Sequence, residues 1–367
     1  MEIKTYNSEQ LNELVHSEQF SRMPVVPIST HRAMSHIHNP RADKSDILMI
    51  IAHEDDEMIG YLGVLADNIH TLKGKALKCG WLSCMWVNPV LRGKGIAKQL
   101  LATAFKEWND HILVTEFTPE AKGLYDRSGG FNDLRINEGL RCYLRFNLHE
   151  VLPKKNEKYK PYTSILKLGD AFANVPNALR LSFIKPKISG HILFEEITEI
   201  HQGLNEYILS KQENGFERRS AAELNWILRY PWLLQSASTE ESMRYHFSSV
   251  SERFGNHCFK LIENGETKGC LHFTIRDNHL KIPYAYFEKD CLPEVVQHIY
   301  RIMHDYKLNM LTVFHTDIVK FLKTDSTPFI YKRDIKRQYI ISKVLDANFT
   351  DREKLIFQDG DADCAFT

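Results

Sequence analysis

The feature that most constrains the fold is a glycine-rich turn between an apolar run and an amphipathic one. The segment WVNPVLRGKGIAKQLL covers residues 86–101, and positions 92–95 read R-G-K-G. After this turn, apolar residues recur at 96, 100, 101, 104, 105 and 108, which is the spacing of one helical face. The segment therefore predicts a strand that ends in a permissive backbone and passes at once into a helix.

A strand–turn–helix of this composition suits a pyrophosphate. Gly93 and Gly95 permit a positive φ and leave the inner surface free of side chains, so successive N–H groups can face one concavity. The helix N-terminus adds unsatisfied donors, and Arg92 and Lys94 add charge at the rim. The sequence lacks the Walker pattern and the third glycine of a dinucleotide fingerprint. An ordinary strand–helix turn is the alternative that two glycines alone leave open.

Length and charge narrow the class of protein. A chain of 367 residues predicts two domains. Lysine plus arginine equals aspartate plus glutamate at 47 each, which indicates no nucleic-acid or anionic-membrane partner. The polar start and the lack of any long apolar run predict neither a signal peptide nor a membrane helix. Seven cysteines without a CxxC motif favour reduced thiols and a cytoplasmic location.

Strands and helices alternate along the first half, and the second half repeats their order. The first half predicts a hairpin, a third strand, the long helix, a fourth strand, a short helix and a final strand, at 46–66, 81–87, 96–108, 111–117, 120–131 and 140–148. Matching segments follow at 257–273, 280–287, 292–306 and 308–314, without the glycine-rich turn. This order predicts a degenerate repeat.

We therefore expect two similar α/β domains. The predicted boundaries are a first domain at 1–152, a charged, proline-flanked linker at 153–165, a degenerate second domain at 166–345 and an acidic, flexible tail at 346–367. The second domain either forms part of the acceptor pocket or is purely structural, and the segment 217–232 either lines that pocket or packs in the core.

Two blocks of sequence resemble one enzyme superfamily. V-x-P-x-x-R-G-x-G-I-A resembles the acyl-CoA loop of the GCN5-related N-acetyltransferases (GNAT), whose signature Q/R-x-x-G-x-G/A is met by Arg92, Gly95 and Ala97. AKGLYDRSGGF is similar to the superfamily's A-x-x-x-Y-x-x-x-G-F element through Ala121 and Tyr125, with one extra residue before the final Gly-Phe pair. The two blocks and the strands between them cover roughly residues 46–148.

The resemblance implies a fold and a ligand. The fold is a mixed, mostly antiparallel twisted sheet flanked by helices, in which the strands at 81–87 and 111–117 splay apart. Acetyl-CoA or another acyl-CoA is the expected substrate, and no metal is expected. The acyl-CoA-binding residues that this predicts are Met85, Trp86, Val87, Arg92, Gly93, Lys94, Gly95, Ile96 and Ala97.

The implied chemistry is direct attack by an amine on the thioester. A backbone N–H, expected to be that of Val87, polarises the carbonyl. Tyr125 donates to the departing sulfur, because a phenol with a pKa of about 10 is protonated at neutral pH; the alternative is a tyrosine that only packs. The third strand has no acid, so Glu116 is the candidate base, unless the second domain or water takes the proton. Cys84 is interpreted as a small buried thiol.

One further motif resembles a metal site. IIAHEDDEMIG at 50–60 is similar to the A-H-P-D-D-E signature of zinc-dependent deacetylases, but Glu54 replaces the proline and no convincing distant histidine pair follows. We interpret it as an acidic hairpin turn.

The sequence thus predicts a cytoplasmic N-acyltransferase, monomeric or homodimeric. Its acceptor is expected to be a primary amine on a small polar molecule, with a nucleotide-linked amino sugar as the first choice. Two alternatives stay open: an aminoacyl-tRNA-dependent peptidyl transferase, against which the intact loop and neutral charge argue, and a CoA-binding sensor without catalysis.

Overall fold

A computed structural model describes residues 1–184, 190–325 and 327–366. The strands are β1 (Glu2–Tyr6), β2 (Met49–Glu54), β3 (Glu57–His70), β4 (Ala76–Val87), β5 (Ile112–Thr115), β6 (Phe131–Tyr143), β7 (Leu193–Ile197), β8 (Leu234–Gln235), β9 (Val250–Ser251), β10 (Phe254–Glu263), β11 (Glu266–Arg276), β12 (His279–Phe287), β13 (Met310–Val313) and β14 (Tyr331–Ser342).

The α-helices lie between and after these strands. They are α1 (Ser8–Val15), α2 (Glu18–Arg22), α3 (Thr30–Ile37), α4 (Ile96–Glu107), α5 (Pro119–Ser128), α6 (Leu148–Lys155), α7 (Thr163–Phe183), α8 (Gln202–Ser210), α9 (Ala221–Arg229), α10 (Glu240–Arg244), α11 (Leu292–Asp305), α12 (Thr316–Thr324) and α13 (Lys343–Asp346). In the described part of the chain, no helix combines the length and apolarity that crossing a membrane requires.

The chain divides into two compact units that are not contiguous in sequence. The first unit comprises Met1–Asn137, Ile197–Phe254 and Lys336–Thr367, and the second comprises Glu138–Glu196 and Gly255–Ile335. This division differs from the boundaries predicted at 152 and 166, because the strand beside β5 is β14, from much later in the chain. Residues 185–189 and 326 of the predicted second domain, and 367 of the predicted tail, lie outside the described residues.

A mixed sheet forms the centre of the first unit, as predicted. Its strand order is β1-β2-β3-β4-β5-β14. All these pairs are antiparallel except β4 with β5, which are parallel and are joined through α4. A parallel pair needs such a crossover, and α4 buries the apolar positions that the sequence marked, namely Ile96, Leu100, Leu101 and Ala104.

The β4–β5 ladder is short. Its last pair is Leu82 with Val114, although β4 continues to Val87. Just beyond that pair, β4 has a bulge: Cys84 and Met85 together lie opposite the single residue Leu62 of β3. Cys84 has a φ of 56°, in the left-handed region. The bulge therefore coincides with the point where the two parallel strands cease to pair, as expected for splayed strands.

The second unit follows the same order of elements. β11 and β12 are antiparallel, and β12 is parallel to β13 through α11, as β4 is to β5 through α4. Gly269 pairs with the last residue of β12, just as Gly60 pairs with the last residue of β4. After β12 a 3-10 turn leads directly into α11, whereas residues 92–95 separate the equivalent turn from α4. The missing glycine-rich turn is thus a difference of four residues at one junction.

Two segments depart from the sequence analysis. The predicted linker is largely helical, with α6, a 3-10 helix at Glu157–Tyr162 and the start of α7. The predicted flexible tail is buried from Asp359 to Phe366, apart from the half-buried Asp363. Arg337 Nη1 donates to the carboxylate of Asp359 over 2.5 Å and to its backbone carbonyl over 2.8 Å. Phe366 stacks on Trp232 at 4.5 Å between ring centroids.

This burial gives a testable expectation for the tail. Phe366→Ala removes a side chain that is 1% exposed, so it should lower the free energy of unfolding by about 3 kcal/mol, measured by urea denaturation. Ile356→Ala, at a residue that is 51% exposed, is the matched control and should change it by less than about 0.5 kcal/mol. If wild type and Phe366→Ala have equal free energies of unfolding, the tail is flexible, as the sequence predicted.

Candidate active site

A cleft of about 1400 Å³ opens in the first unit where β4 ends. It is lined by the end of β4, the turn before α4, the first turns of α4 and parts of α5, together with residues 246, 247 and 342–344. The predicted residues that line it are Met85, Trp86, Val87, Arg92, Gly93, Gly95, Ile96 and Ala97. Lys94 is exposed in the same turn but is not among the lining residues.

The turn has the backbone conformation that its glycines predict. Gly93 has a φ of 85° and Gly95 a φ of 83°, and Gly95 is the N-cap of α4. A Cβ at either position would meet nothing within 4 Å, so conformation and not crowding requires glycine here. The first N–H groups of α4 have no acceptor within the helix, and Arg92 is exposed beside them. The turn therefore offers an open anion site of the kind that a pyrophosphate needs.

The end of β4 presents one backbone donor to the gap. Asn88 N–H donates to the Ile59 carbonyl of β3 over 2.9 Å. Backbone groups of successive strand residues point to opposite sides, so the N–H of Val87 points away from β3. That side is the one on which the ladder with β5 has already ended. The predicted carbonyl-polarising donor thus has the required direction.

Aromatic rings form one wall of the cleft. Trp86 stacks on His246 at 4.6 Å between ring centroids and on Tyr61 at 5.5 Å, and Phe247 lies next to His246 in the lining. The sequence analysis missed residues 246 and 247. They belong to the half of the chain in which an acceptor-binding role was expected, but the structure places them in the first unit.

Tyr125 lies on α5 and is buried against Phe117 and Phe131. Burial, and secondarily the charge of Asp363, raises the pKa of Tyr125 to about 12. Its hydroxyl is therefore protonated at neutral pH and can donate a hydrogen bond. Tyr125 does not line the cleft itself, although its neighbours Ala121 and Leu124 do.

The glycines after α5 explain the extra residue in the second block. Gly129 ends the helix with a φ of 65°, and a Cβ on Gly130 would lie 2.6 Å from the ring of Phe105. Each glycine thus meets a separate requirement, one conformational and one steric.

Glu116 follows β5 and is bound by a cation. Its carboxylate lies 2.9 Å from Nη2 of Arg337, and its side chain is 42% exposed. Glu116 is not a lining residue of the cleft. An incoming ammonium group would have to compete with Arg337 for this carboxylate.

A polar cluster surrounds the β4 bulge, and the sequence analysis did not predict it. Arg32 of α3 donates from Nη1 to Tyr245 Oη over 3.1 Å and from Nη2 to Ser83 Oγ over 2.8 Å. Arg32 Nη1 also contacts Cys84 Sγ at 2.6 Å. Ser83 in turn donates to the carboxylate of Asp363 in the tail. Burial raises the pKa of Asp363 above that of an ordinary aspartate.

The structure corrects the interpretation of Cys84. The residue is only partly buried, and its positive φ is uncommon for a side chain other than glycine. Such backbone conformations are found preferentially at functional sites, because the surrounding structure has to maintain them. The contact with Arg32 fixes the thiol at the bulge.

Two other segments that the sequence analysis considered have structural roles. The acidic motif at 50–60 contains the β2–β3 hairpin, whose turn residues Asp55 and Asp56 have φ values of 50° and 65°. Across residues 1–184, 190–325 and 327–366, no group of three or more potential ligands is placed to hold a metal ion. None of residues 217–232 lines the cleft; instead Leu224, Trp226 and Ile227 are buried on α9.

One family model matches part of the chain. Residues 45–132 match the model of the acetyltransferase (GNAT) domain. Comparison of the whole sequence with curated proteins gave no match.

The chain is similar to solved structures at low sequence identity. A conserved protein of unknown function from Enterococcus faecalis V583, described as a probable N-acyltransferase, is 12% identical with a TM-score of 0.53, covering 94% of this chain and 73% of its own. A GCN5-related N-acetyltransferase from Anabaena variabilis ATCC 29413 is also 12% identical, with a TM-score of 0.48 and coverage of 92% and 72%. At this identity the first similarity shows the fold alone.

Proposed function

Because residues 45–132 form an acetyltransferase domain of the GCN5-related (GNAT) family, we propose that this protein is an acyl-CoA-dependent N-acyltransferase. One observation carries the proposal: a single cleft joins the glycine-rich anion site to the unpaired end of β4. Acyl-CoA carries a pyrophosphate and a thioester at some distance from each other. Its binding therefore needs an anion site and an unpaired strand end within one cleft.

The diphosphate of acyl-CoA would lie on the turn. The amides of Gly93, Gly95, Ile96 and Ala97 are the donors, since the Lys94 N–H already donates to the Leu91 carbonyl. Arg92 and Lys94 supply positive charge at the rim. The pantetheine arm would extend along Met85 and Trp86 and bring the thioester carbonyl to the N–H of Val87. The chain's own backbone thus supplies most of the recognition.

The acyl transfer needs a proton acceptor and a group that stabilises the leaving thiolate. The acceptor amine loses a proton and attacks the acyl carbon; an N–C bond forms and the C–S bond breaks. Tyr125, with a pKa of about 12, stays protonated and donates a hydrogen bond to the departing sulfur. An ordinary thiol has a pKa of about 8.5, well below that of Tyr125, so the proton stays on the tyrosine and only a hydrogen bond stabilises the thiolate. Solvent then protonates the thiolate.

Two carboxylates are candidates for the proton acceptor. Glu116 was the choice from sequence, but it is exposed and paired with Arg337. Asp363 accepts from Ser83 Oγ at the β4 bulge, although it is no more a lining residue of the cleft than Glu116 is. A carboxylate with a raised pKa is also the stronger base, so we favour Asp363.

The acceptor is a primary amine on a small polar molecule, for which we retain a nucleotide-linked amino sugar. The rings of Trp86, His246 and Phe247 support this choice, because aromatic faces stack on sugar rings and nucleobases.

The first prediction concerns the turn. Gly95→Glu should abolish the rise in melting temperature that acetyl-CoA gives wild type, because a carboxylate then lies where the diphosphate binds. At a hundredfold excess over Kd the lost stabilisation is about 2.7 kcal/mol, measured by thermal shift. Gly95→Ala, which meets the same strain at a φ of 83° without the charge, should keep part of the rise. If acetyl-CoA raises the melting temperature of Gly95→Glu as much as that of wild type, the diphosphate does not bind at this turn.

The second prediction concerns Tyr125. Tyr125→Phe keeps the ring packing and removes the hydroxyl, so kcat should fall about 10²- to 10⁴-fold while the melting temperature and the KM for acetyl-CoA change little. The assay is release of free thiol from acetyl-CoA across a panel of amines. Unchanged kcat would leave Tyr125 with a packing role, and no release by wild type with any amine would favour a sensor.

The third prediction distinguishes the two carboxylates by pH. If Asp363 is the base, kcat/KM of wild type rises with pH through a pKa above the ordinary aspartate value of about 3.9, because the base must be deprotonated. Asp363→Asn should lower the kcat/KM reached at high pH and remove its rise with pH, whereas Glu116→Gln should retain that rise. The reverse result would identify Glu116 as the proton acceptor. If neither variant changes the pH profile, water is the proton acceptor.

A further inference from the structure

Helix α7 exposes its apolar residues. Six large apolar side chains along one side of Thr163–Phe183 are each between 60% and 80% exposed: Ile165, Leu168, Phe172, Val175, Leu179 and Phe183. We call this set the α7 stripe. An isolated exposed leucine needs no explanation, but a continuous apolar row on one helix does.

The opposite side of α7 carries polar residues that bind the preceding segment of the same unit. The Asp170 carboxylate accepts from the backbone N–H of His149 over 2.9 Å. Asn174 Oδ1 accepts from Phe146 N–H over 3.0 Å, and its amide donates back to the Phe146 carbonyl over 2.8 Å. Asn177 donates to the Leu144 carbonyl over 3.0 Å. These bonds fix the rotation of the helix, so the stripe cannot turn inward without breaking them.

The stripe has the spacing of a helix–helix seam. Its members at 165, 168, 172, 175 and 179 are separated alternately by three and four residues, the heptad pattern with a mean of about 3.5. A row this narrow suits pairing with another helix, whereas packing on a sheet or core needs an apolar arc of about 100° or more. A second α7 supplies the same spacing, and a two-fold axis would bring the two rows together.

The area of the stripe suits a dimer contact. Six side chains of roughly 150 Å² each, more than half exposed, present on the order of 600 Å² per copy. That is at the upper end of the ~300–600 Å² patch found on typical monomers and approaches the ~800 Å² that each partner buries in a standard interface. Pro176 lies at the edge of the stripe and allows the helix to bend, which limits close contact to a short seam.

Charge does not favour a lipid surface. A helix that lies on a membrane carries lysines and arginines on its polar face. In α7 that face is turned to the protein, and the basic residues of the helix are Lys167 and Arg180. Arg180 is bound to Asn177 and to the Pro328 carbonyl. Two copies would therefore meet without strong repulsion, while an anionic surface gains little.

We propose that α7 is a homodimer interface, in which the stripe of one copy pairs with the stripe of a second copy. This inference does not depend on the proposed function, because it uses neither the cleft nor the catalytic groups.

The main experiment measures the molar mass of the full-length protein by sedimentation equilibrium. Wild type should have twice the mass of one chain, and the double variant Leu168→Glu/Phe172→Glu should have the mass of one chain, with unchanged melting temperature and acetyl transfer. Met243→Glu, at a residue of the first unit that is 73% exposed, adds the same kind of charge outside the stripe and should remain dimeric.

A second measurement does not depend on the folding of the double variant. Val175→Cys places a thiol at the middle of the stripe, so mild oxidation should link two copies covalently, whereas wild type should not link. A monomeric wild type, a dimer that persists in a folded double variant, or absence of the Val175→Cys link would overturn the proposal. Binding of monomeric wild type to phosphatidylserine-containing vesicles, lost in the double variant, would overturn it in favour of lipid.

Discussion

The bulge in β4 is the feature on which the active cleft depends. By placing Cys84 in a left-handed conformation, it redirects the strand just after the last pair with β5. The side of β4 that faces away from β3 is then left for a ligand, and Val87 N–H points to that side. Arg32 holds the bulge through Ser83 and Cys84. Removal of the bulge would extend the parallel ladder and close the gap in which we propose that the thioester binds.

The first unit is assembled from distant pieces of chain, and a buried ionic cluster joins them. Arg41 pairs with Asp67, and Arg219 pairs with both Asp67 and Glu217. Burial acts to raise the pKa of Asp67, but the charges of Arg219 and Arg41 outweigh it and lower this pKa below its ordinary value. Glu217 also accepts from the N–H of Ala362 over 2.9 Å, which ties in the tail. Buried ion pairs contribute little net stability, but breaking one is costly, so the cluster favours this one arrangement of the segments.

The sequence was most informative where the determinants are local. Gly93 and Gly95 have the positive φ values that their place after a strand indicated, and α4 buries the predicted positions. The order of the strands follows from periodicity in the same way, whereas the mixed sheet was expected from the resemblance to the superfamily. What could not be predicted depends on long-range pairing: β14 beside β5, Arg32 at the bulge, and residues 246 and 247 in the cleft. The tail was misjudged because acidic composition indicates solvation only when no buried cation such as Arg337 is available.

The burial of residues 359–366 within the first unit also has a consequence for biosynthesis. Ser83 and its partner Asp363 are 280 residues apart in the chain, so a nascent polypeptide has neither the complete bulge cluster nor the full core until residues 359–366 leave the ribosome. Translation of the intervening segments therefore precedes completion of the first unit. The cleft would then be completed only after synthesis of this region, and not progressively along it.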